Sequence, residues 1–122
     1  MSEPEWSIVF YVDDNGRRPV SAFLESLDDK TAVRLRGAMQ QLRMRNTRAR
    51  APLVRHLRGK LWELRDTSNT NSYRLLYFFF TGRRIVFVHG FLKKTQRTPE
   101  ADMALAEERM VRFLAQVEGG GN

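Results

Sequence analysis

Between Lys60 and Leu92 the chain carries three apolar segments set so close together that only one kind of connection can join them. They are Lys60–Asp66 (KLWELRD), Ser72–Thr81 (SYRLLYFFFT) and Arg84–Leu92 (RIVFVHGFL), the last two rich in aromatic or β-branched residues. Ser68-Asn69-Thr70-Asn71 separates the first pair and Thr81-Gly82 the second. A parallel crossover needs about a dozen residues or more, so these turns demand antiparallel neighbours. Three such strands bury an apolar face only if other elements pack on them.

The rest of the chain supplies those elements. WSIVFYV (Trp6–Val12) reads as a strand closed by the turn residues Asp13-Asp14-Asn15-Gly16. Pro19 suits the first turn of a short helix that directs Val20, Phe23, Leu24 and Leu27 inward. Asp28 or Asp29 then caps a longer helix whose apolar residues, Ala32, Leu35, Met39 and Leu42, recur at helical spacing before the pattern fades near Asn46. Residues 46–58 read as a basic connection broken by Pro52. Thr98-Pro99-Glu100 opens a final helix with a stripe of Met103, Ala106, Met110, Phe113 or Leu114, and Val117. The expected order is β-α-α-β-β-β-α, an α+β domain over residues 1–118 with one antiparallel sheet packed by helices. Residues 119–122 are expected as a flexible tail.

At 122 residues the chain suits one domain with one core. It has no cysteine, and neither His56 nor His89 has a carboxylate pair at ligand spacing, so neither a metal nor a cofactor is expected. Met1–Ser7 lacks the pattern of a signal peptide, and the longest apolar run, Leu75–Phe80, is too short to span a bilayer. A cytoplasmic protein with no membrane partner is the expectation.

The net charge of +7 is unevenly spread. Residues 1–29 hold seven acids against Arg17 and Arg18, whereas residues 34–60 hold nine bases and no acid. Those nine are Arg34, Arg36, Arg43, Arg45, Arg48, Arg50, Arg55, Arg58 and Lys60. A solvated helix face is the bland reading of such a run. Arginine predominates, however, and its fork suits phosphate, so a nucleic-acid partner is the sharper reading. A polybasic membrane contact and an acidic protein partner are the alternatives.

Alternation along the strands sorts side chains by face. Leu61, Glu63 and Arg65 share one face against Trp62 and Leu64, and Arg74 shares a face with Leu76 and Phe78. In the last strand Phe87, His89, Phe91 and Lys93 alternate with Val86, Val88, Gly90, Leu92 and Lys94. Arg65, Arg74, Lys93 and Lys94 thus fall on three neighbouring strands, where they would make a phosphate pocket. The purely structural reading is that Arg65 pairs with Glu63 or a helix carboxylate and that Arg74 snorkels at an edge.

GKLWELR (Gly59–Arg65), YRLLYFF (Tyr73–Phe79) and FVHGFLKKTQRTP (Phe87–Pro99), followed by an alanine-rich helix, resemble the phage-derived branch of the RelE/HigB toxins. The resemblance covers most of the chain and is densest from Gly59 to about Arg109. It implies the RelE-like fold, a curved antiparallel sheet with two N-terminal helices and a C-terminal helix. It also implies ribosome-dependent cleavage of messenger RNA in the A site of the 70S ribosome, and inhibition by a helix-turn-helix antitoxin. By the resemblance, Arg65 matches an active-site arginine and Lys94 the basic residue at the end of the last strand, while His56 lies in the segment that carries catalytic lysines or a histidine in relatives. Several relatives place a tyrosine after the last strand to stack on a base; here TQRTPEAD (Thr95–Asp102) has no aromatic, which leaves Phe91 as a candidate.

Cleavage of this kind needs no metal: the RNA 2′-hydroxyl attacks the adjacent phosphate. Arg65 and Arg74 would stabilise the added charge, Lys93 would assist or act as base, and His56 has the right ordinary acid–base range. His89, inside an apolar strand, reads as a structural histidine. Arg43, Arg45, Arg48, Arg50, Arg55, Arg58, Lys60 and Arg97 would grip RNA phosphates. A ParE-like inhibitor of DNA gyrase and a non-catalytic nucleic-acid-binding module of the same fold are the competing readings.

Overall fold

In a computed structural model, residues 5–66, 72–95 and 97–120 are described. The turn expected at Ser68–Asn71 lies outside them. The elements run β1 (Ser7–Phe10), α1 (Pro19–Glu25), α2 (Asp29–Arg45), a 3-10 turn at Asn46–Arg48, β2 (Val54–Arg58), β3 (Leu61–Arg65), β4 (Tyr73–Phe80), β5 (Arg84–Leu92) and α3 (Glu100–Gly120). The α+β class and the three helices match the sequence reading.

Two features differ from it. The basic connection contains a strand, β2, which makes five strands in the order β1-β5-β4-β3-β2. Val54 pairs with Leu64 and Arg55 with Glu63 at this edge. The arginines hide the strand in the sequence, because an edge strand tolerates charges that an interior one does not. The sheet is also mixed rather than wholly antiparallel: β1 runs parallel to β5, with Ile8 opposite Ile85 and Phe10 opposite Phe87. Two helices separate β1 from the meander, so no tight turn constrains its direction.

Each face of the sheet has its own core. On one, α1 and α2 place Val20, Leu24, Leu35, Met39 and Leu42 against Leu64, Leu75, Tyr77, Ile85 and Phe87. On the other, Ala106 and Phe113 of α3 meet Leu61, Leu76, Phe78, Val86 and Val88. Central β4 is therefore covered on both sides, which explains its unbroken apolar run. Burying each of these large side chains stabilises the fold by about 1.5–3 kcal/mol. Asp28 caps α2, its Oδ1 accepting from Thr31 N at 2.7 Å. The helix α3 continues to Gly120, into the segment expected as a tail, and its Val117 is exposed.

A bulge in β5 decides which side chains reach the functional end. Leu76 pairs with His89 but Tyr77 pairs with Phe87, so Val88 is the extra residue. Strict alternation breaks there: Phe87 faces α1 and α2, while both Val88 and His89 face α3. Beyond the bulge Phe91 and Lys93 also lie on the α3 side. Gly90 faces α1, and a Cβ at that position would overlap Phe23 and Leu75.

Candidate active site

At the end of the sheet where β3 stops and β4 begins, Arg65 and Arg74 are direct cross-strand partners, and Arg74 pairs in turn with Phe91 of β5. The ladder reaches one step further, Lys93 N donating to Ser72 O at 2.8 Å. This register brings Arg65, Arg74 and Lys93 together on the α3 face. With Ser72, Lys94 and Thr95 they line an open cleft of about 500 Å³.

Behind the cations sits Glu63, wholly buried. Its Oε1 lies 3.5 Å from Arg65 Nε, 3.5 Å from Arg74 Nε and 3.9 Å from Lys93 Nζ. Its other oxygen, Oε2, accepts from Thr98 Oγ1 at 2.5 Å, and Thr98 is itself buried. A buried carboxylate needs such company, because burial without partners would cost several kcal/mol. Neither Oε1 nor the two Nε atoms makes an aligned hydrogen bond among the described residues. The three contacts are ionic and long, so one carboxylate is shared by three cations.

Burial pushes the Lys93 amine below the ordinary lysine range, with Arg74, Arg55 and Arg65 adding to the effect and Glu63 opposing it. Burial likewise lowers Arg74, which stays charged because a guanidinium starts so high. Nη1 of Arg74 donates to Tyr73 O at 2.9 Å, fixing the plane of the fork. Arg55, exposed on β2, shares the face of Glu63 through their pairing and adds its positive charge to those acting on Lys93.

Rigid cations, one depressed amine and an open mouth can bind a phosphate and take up a proton beside it. Residues 22–111, well over half of the 122, match a protein-family model described as Phage derived protein Gp49-like (DUF891). The chain belongs to the Gp49-like family. That family is a RelE/HigB-like toxin family of toxin–antitoxin systems. No curated protein matches the chain. The Gp49-like region runs from α1 into α3 and contains every residue that lines the cleft.

Other expected site residues fall elsewhere in this Gp49-like chain. His56 pairs with Trp62 on the face covered by α2, its ring 4.9 Å from the indole, and its Nε2 lies 2.8 Å from Gly59 O. It is across the sheet from Arg65 and Arg74. Arg58 is taken up by α3: its Nη1 and Nη2 donate to Glu100 at 2.8 Å each, and Nη2 also donates to Glu107 at 2.6 Å. Nη1 of Arg50 turns back onto Ala49 O at 3.0 Å, and Arg43 meets Glu5 at 3.4 Å. Arg45, Arg48, Lys60, Lys94 and Arg97 are exposed.

Arg43 and Arg48 line a hollow with Trp6 and Arg83, at the end of the sheet away from the cleft. The eight residues of β4 put roughly 25 Å between the two ends. The basic run is thus spread over the molecule rather than gathered at the cleft. Phe91 does not offer a stacking face either, being 9% exposed and stacked on His89 at 5.4 Å.

His89 is a structural residue. Arg109 Nη1, which can only donate, lies 3.3 Å from Nδ1, so Nε2 carries the hydrogen and donates to Asp102 Oδ1 at 2.6 Å. The same guanidinium nitrogen donates to Val88 O at 2.8 Å and ties α3 to the bulge.

Sequence reasoning set Glu63 down only as a competing partner for Arg65 and took Thr98 for a helix start. The signal for Glu63 was present: an acid between two leucines, on the same strand face as Leu61, is bound for the core and must collect cations there.

Proposed function

We propose that this Gp49-like chain is the toxin of a toxin–antitoxin pair and acts as a ribosome-dependent endoribonuclease on messenger RNA in the A site. The observation that carries this reading is the cationic cleft at the ends of β3, β4 and β5, lined by Arg65, Arg74, Lys93 and Lys94. An inhibitor working through protein contact alone has no use for a phosphate-sized pocket of this charge.

In the proposed reaction the scissile phosphodiester lies against Arg65 and Arg74. The RNA 2′-oxygen attacks phosphorus and gives up its proton, the bond to the 5′-oxygen breaks, and the leaving oxygen takes a proton from solvent. The products are a 2′,3′-cyclic phosphate and a 5′-hydroxyl. Arg65 and Arg74 stabilise the charge that builds on the non-bridging oxygens, a contribution worth roughly 10²–10³ in rate per donor in comparable sites. Burial makes Lys93 give up its proton more readily than an ordinary lysine, and it is in that neutral form that it accepts the proton of the 2′-hydroxyl. Exposed Lys94 contacts an adjacent phosphate at the mouth. The ribosome supplies the grip on the base, since among the described residues no aromatic side chain lines the cleft. A cytoplasmic antitoxin, a helix-turn-helix repressor by the resemblance, holds the toxin inactive.

The chemistry of the cut ends tests this. Fragments released from translating ribosomes should carry 5′-hydroxyl and cyclic-phosphate ends. Fragments with 5′-phosphates, or no fragments, would overturn the proposal.

A further inference from the structure

We infer that Glu63 is the positioning residue of the cleft: from the core it holds Arg65, Arg74 and Lys93 in a preformed arrangement, and through Thr98 it locks the segment carrying Lys94 to that arrangement. The inference rests on the phosphate-binding reading of the cleft.

The sheet creates a conflict that Glu63 resolves. Arg65 and Arg74 are directly opposed across β3 and β4, and like charges in that relation repel. Lys93 adds a third positive group on the same face. An anion must stand among them before any RNA arrives, and Glu63 Oε1, within 3.9 Å of all three, is that anion. It approaches both arginines at Nε, the inner nitrogen of the fork. The oxygen is shared three ways and saturates none of them, so the cations are oriented without being neutralised.

Thr98 gives the same residue a second function. It is the last residue but one before α3, and its hydroxyl binds Glu63 Oε2. The stretch from Lys93 to Thr98 is thereby closed at both ends on Glu63, by the Lys93 ammonium and by the Thr98 hydroxyl. Without that closure, Lys94 and Thr95 would line the cleft only part of the time, and misplacement on the ångström scale is costly to a reaction that depends on orientation.

The sign of the effect distinguishes positioning from simple structural support. Glu63→Gln keeps an oxygen for Thr98 and removes the negative charge. The cleft becomes more positive, so it should hold RNA more tightly, while the cations lose their orientation and the reaction slows. Ground-state binding rises and transition-state binding does not follow. The amine of Lys93 should titrate lower still, since Glu63 is what opposes its depression. The other charged groups around it are Arg55 on β2, Arg65 on β3, Arg74 on β4 and its chain neighbour Lys94, with Asp66 just past the end of β3. Asp66 is itself engaged by Arg34 of α2 at 3.4 Å.

The test uses the full chain, its Glu63→Gln and Thr98→Val variants, a short 2′-O-methyl oligoribonucleotide that cannot be cut, and NMR titration of Lys93. The expected result for Glu63→Gln is binding severalfold tighter than wild type, a lower Lys93 titration midpoint, and ribosomal cleavage about tenfold slower. Thr98→Val, which keeps every charge, should bind the oligonucleotide as wild type does and cleave severalfold more slowly. Unchanged or weaker binding by Glu63→Gln with an unmoved Lys93 midpoint would overturn the inference. If Glu63→Gln does not fold, wild-type cleavage by Thr98→Val overturns it instead. Should the wild type cleave nothing, the nuclease proposal fails alone, because the binding and titration readouts do not depend on cleavage.

Discussion

Arg65 and Arg74 face each other across β3 and β4 as direct register partners, and each brings its Nε to 3.5 Å from the same buried oxygen of Glu63. Two like charges in adjacent strand positions are a cost to folding that a purely structural sheet would avoid. Their persistence beside an open cleft is the pattern expected of a ligand-binding site.

The pairing makes stability depend on all partners of Glu63. Arg74→Met removes the more buried of the two guanidinium groups and leaves the carboxylate with fewer cations. It should destabilise the protein by about 1–3 kcal/mol in urea denaturation, within the range for a buried acid that loses one of several partners. A variant as stable as wild type would mean that Lys93 and Arg65 suffice.

Arg58, which the sequence offered as an RNA contact, is engaged within the fold. Its fork on Glu100 and Glu107 clamps the start of α3 to β2. Arg58→Ala should lower the melting temperature and leave oligonucleotide affinity near wild type, with the loss diminishing in high salt. Combining it with Glu107→Ala should cost less than the sum of the two single changes. A large drop in RNA affinity with unchanged melting would return Arg58 to the RNA surface.

His89 makes folding sensitive to acid. Burial lowers its pKa in the folded state, so at intermediate pH the unfolded chain binds more protons than the folded one. The contribution of this group is fully present above its ordinary value of 6.5 and is lost progressively as the pH falls below it. Urea midpoints measured from pH 8 to pH 5 should fall, and His89→Gln should flatten that fall. Parallel profiles for the two proteins would exclude His89 as the source.

Gly90 marks where α1 meets the sheet. Gly90→Ala sets a methyl group against Phe23 and Leu75 and should cost about 1–3 kcal/mol by overpacking. Adding Phe23→Leu should recover part of that loss, a coupling readable in a double-mutant cycle. No recovery would place the cost in the backbone of β5.

Much of this was legible in residue order. The short turns of the meander, the cap at Asp28 and the stripe of α2 follow from local chemistry, and so does the placement of Arg65 and Arg74 on neighbouring strands. What was hidden depended on long-range pairing. The strand β2 was masked by arginines that only its position at the sheet edge makes tolerable. The bulge at Val88 shifts the phase of β5, so alternation counted through it assigns Phe87 and His89 to the same face when they lie on opposite ones. His56 and Arg58 were read from their basic neighbours, but β2 pairs the first with Trp62 and hands the second to α3. Charge runs report composition; only the register decides which charges meet.

On the proposed function, the Glu63-backed cleft cuts RNA on the ribosome. The most direct measurement is primer extension on a reporter messenger RNA in a reconstituted translation reaction, comparing wild type with Arg65→Ala and a ribosome-free control. The expected result is cuts within codons that require ribosomes and fall by roughly 10²–10³ in Arg65→Ala. Wild-type reactions that leave the message intact and translation unimpaired would contradict it.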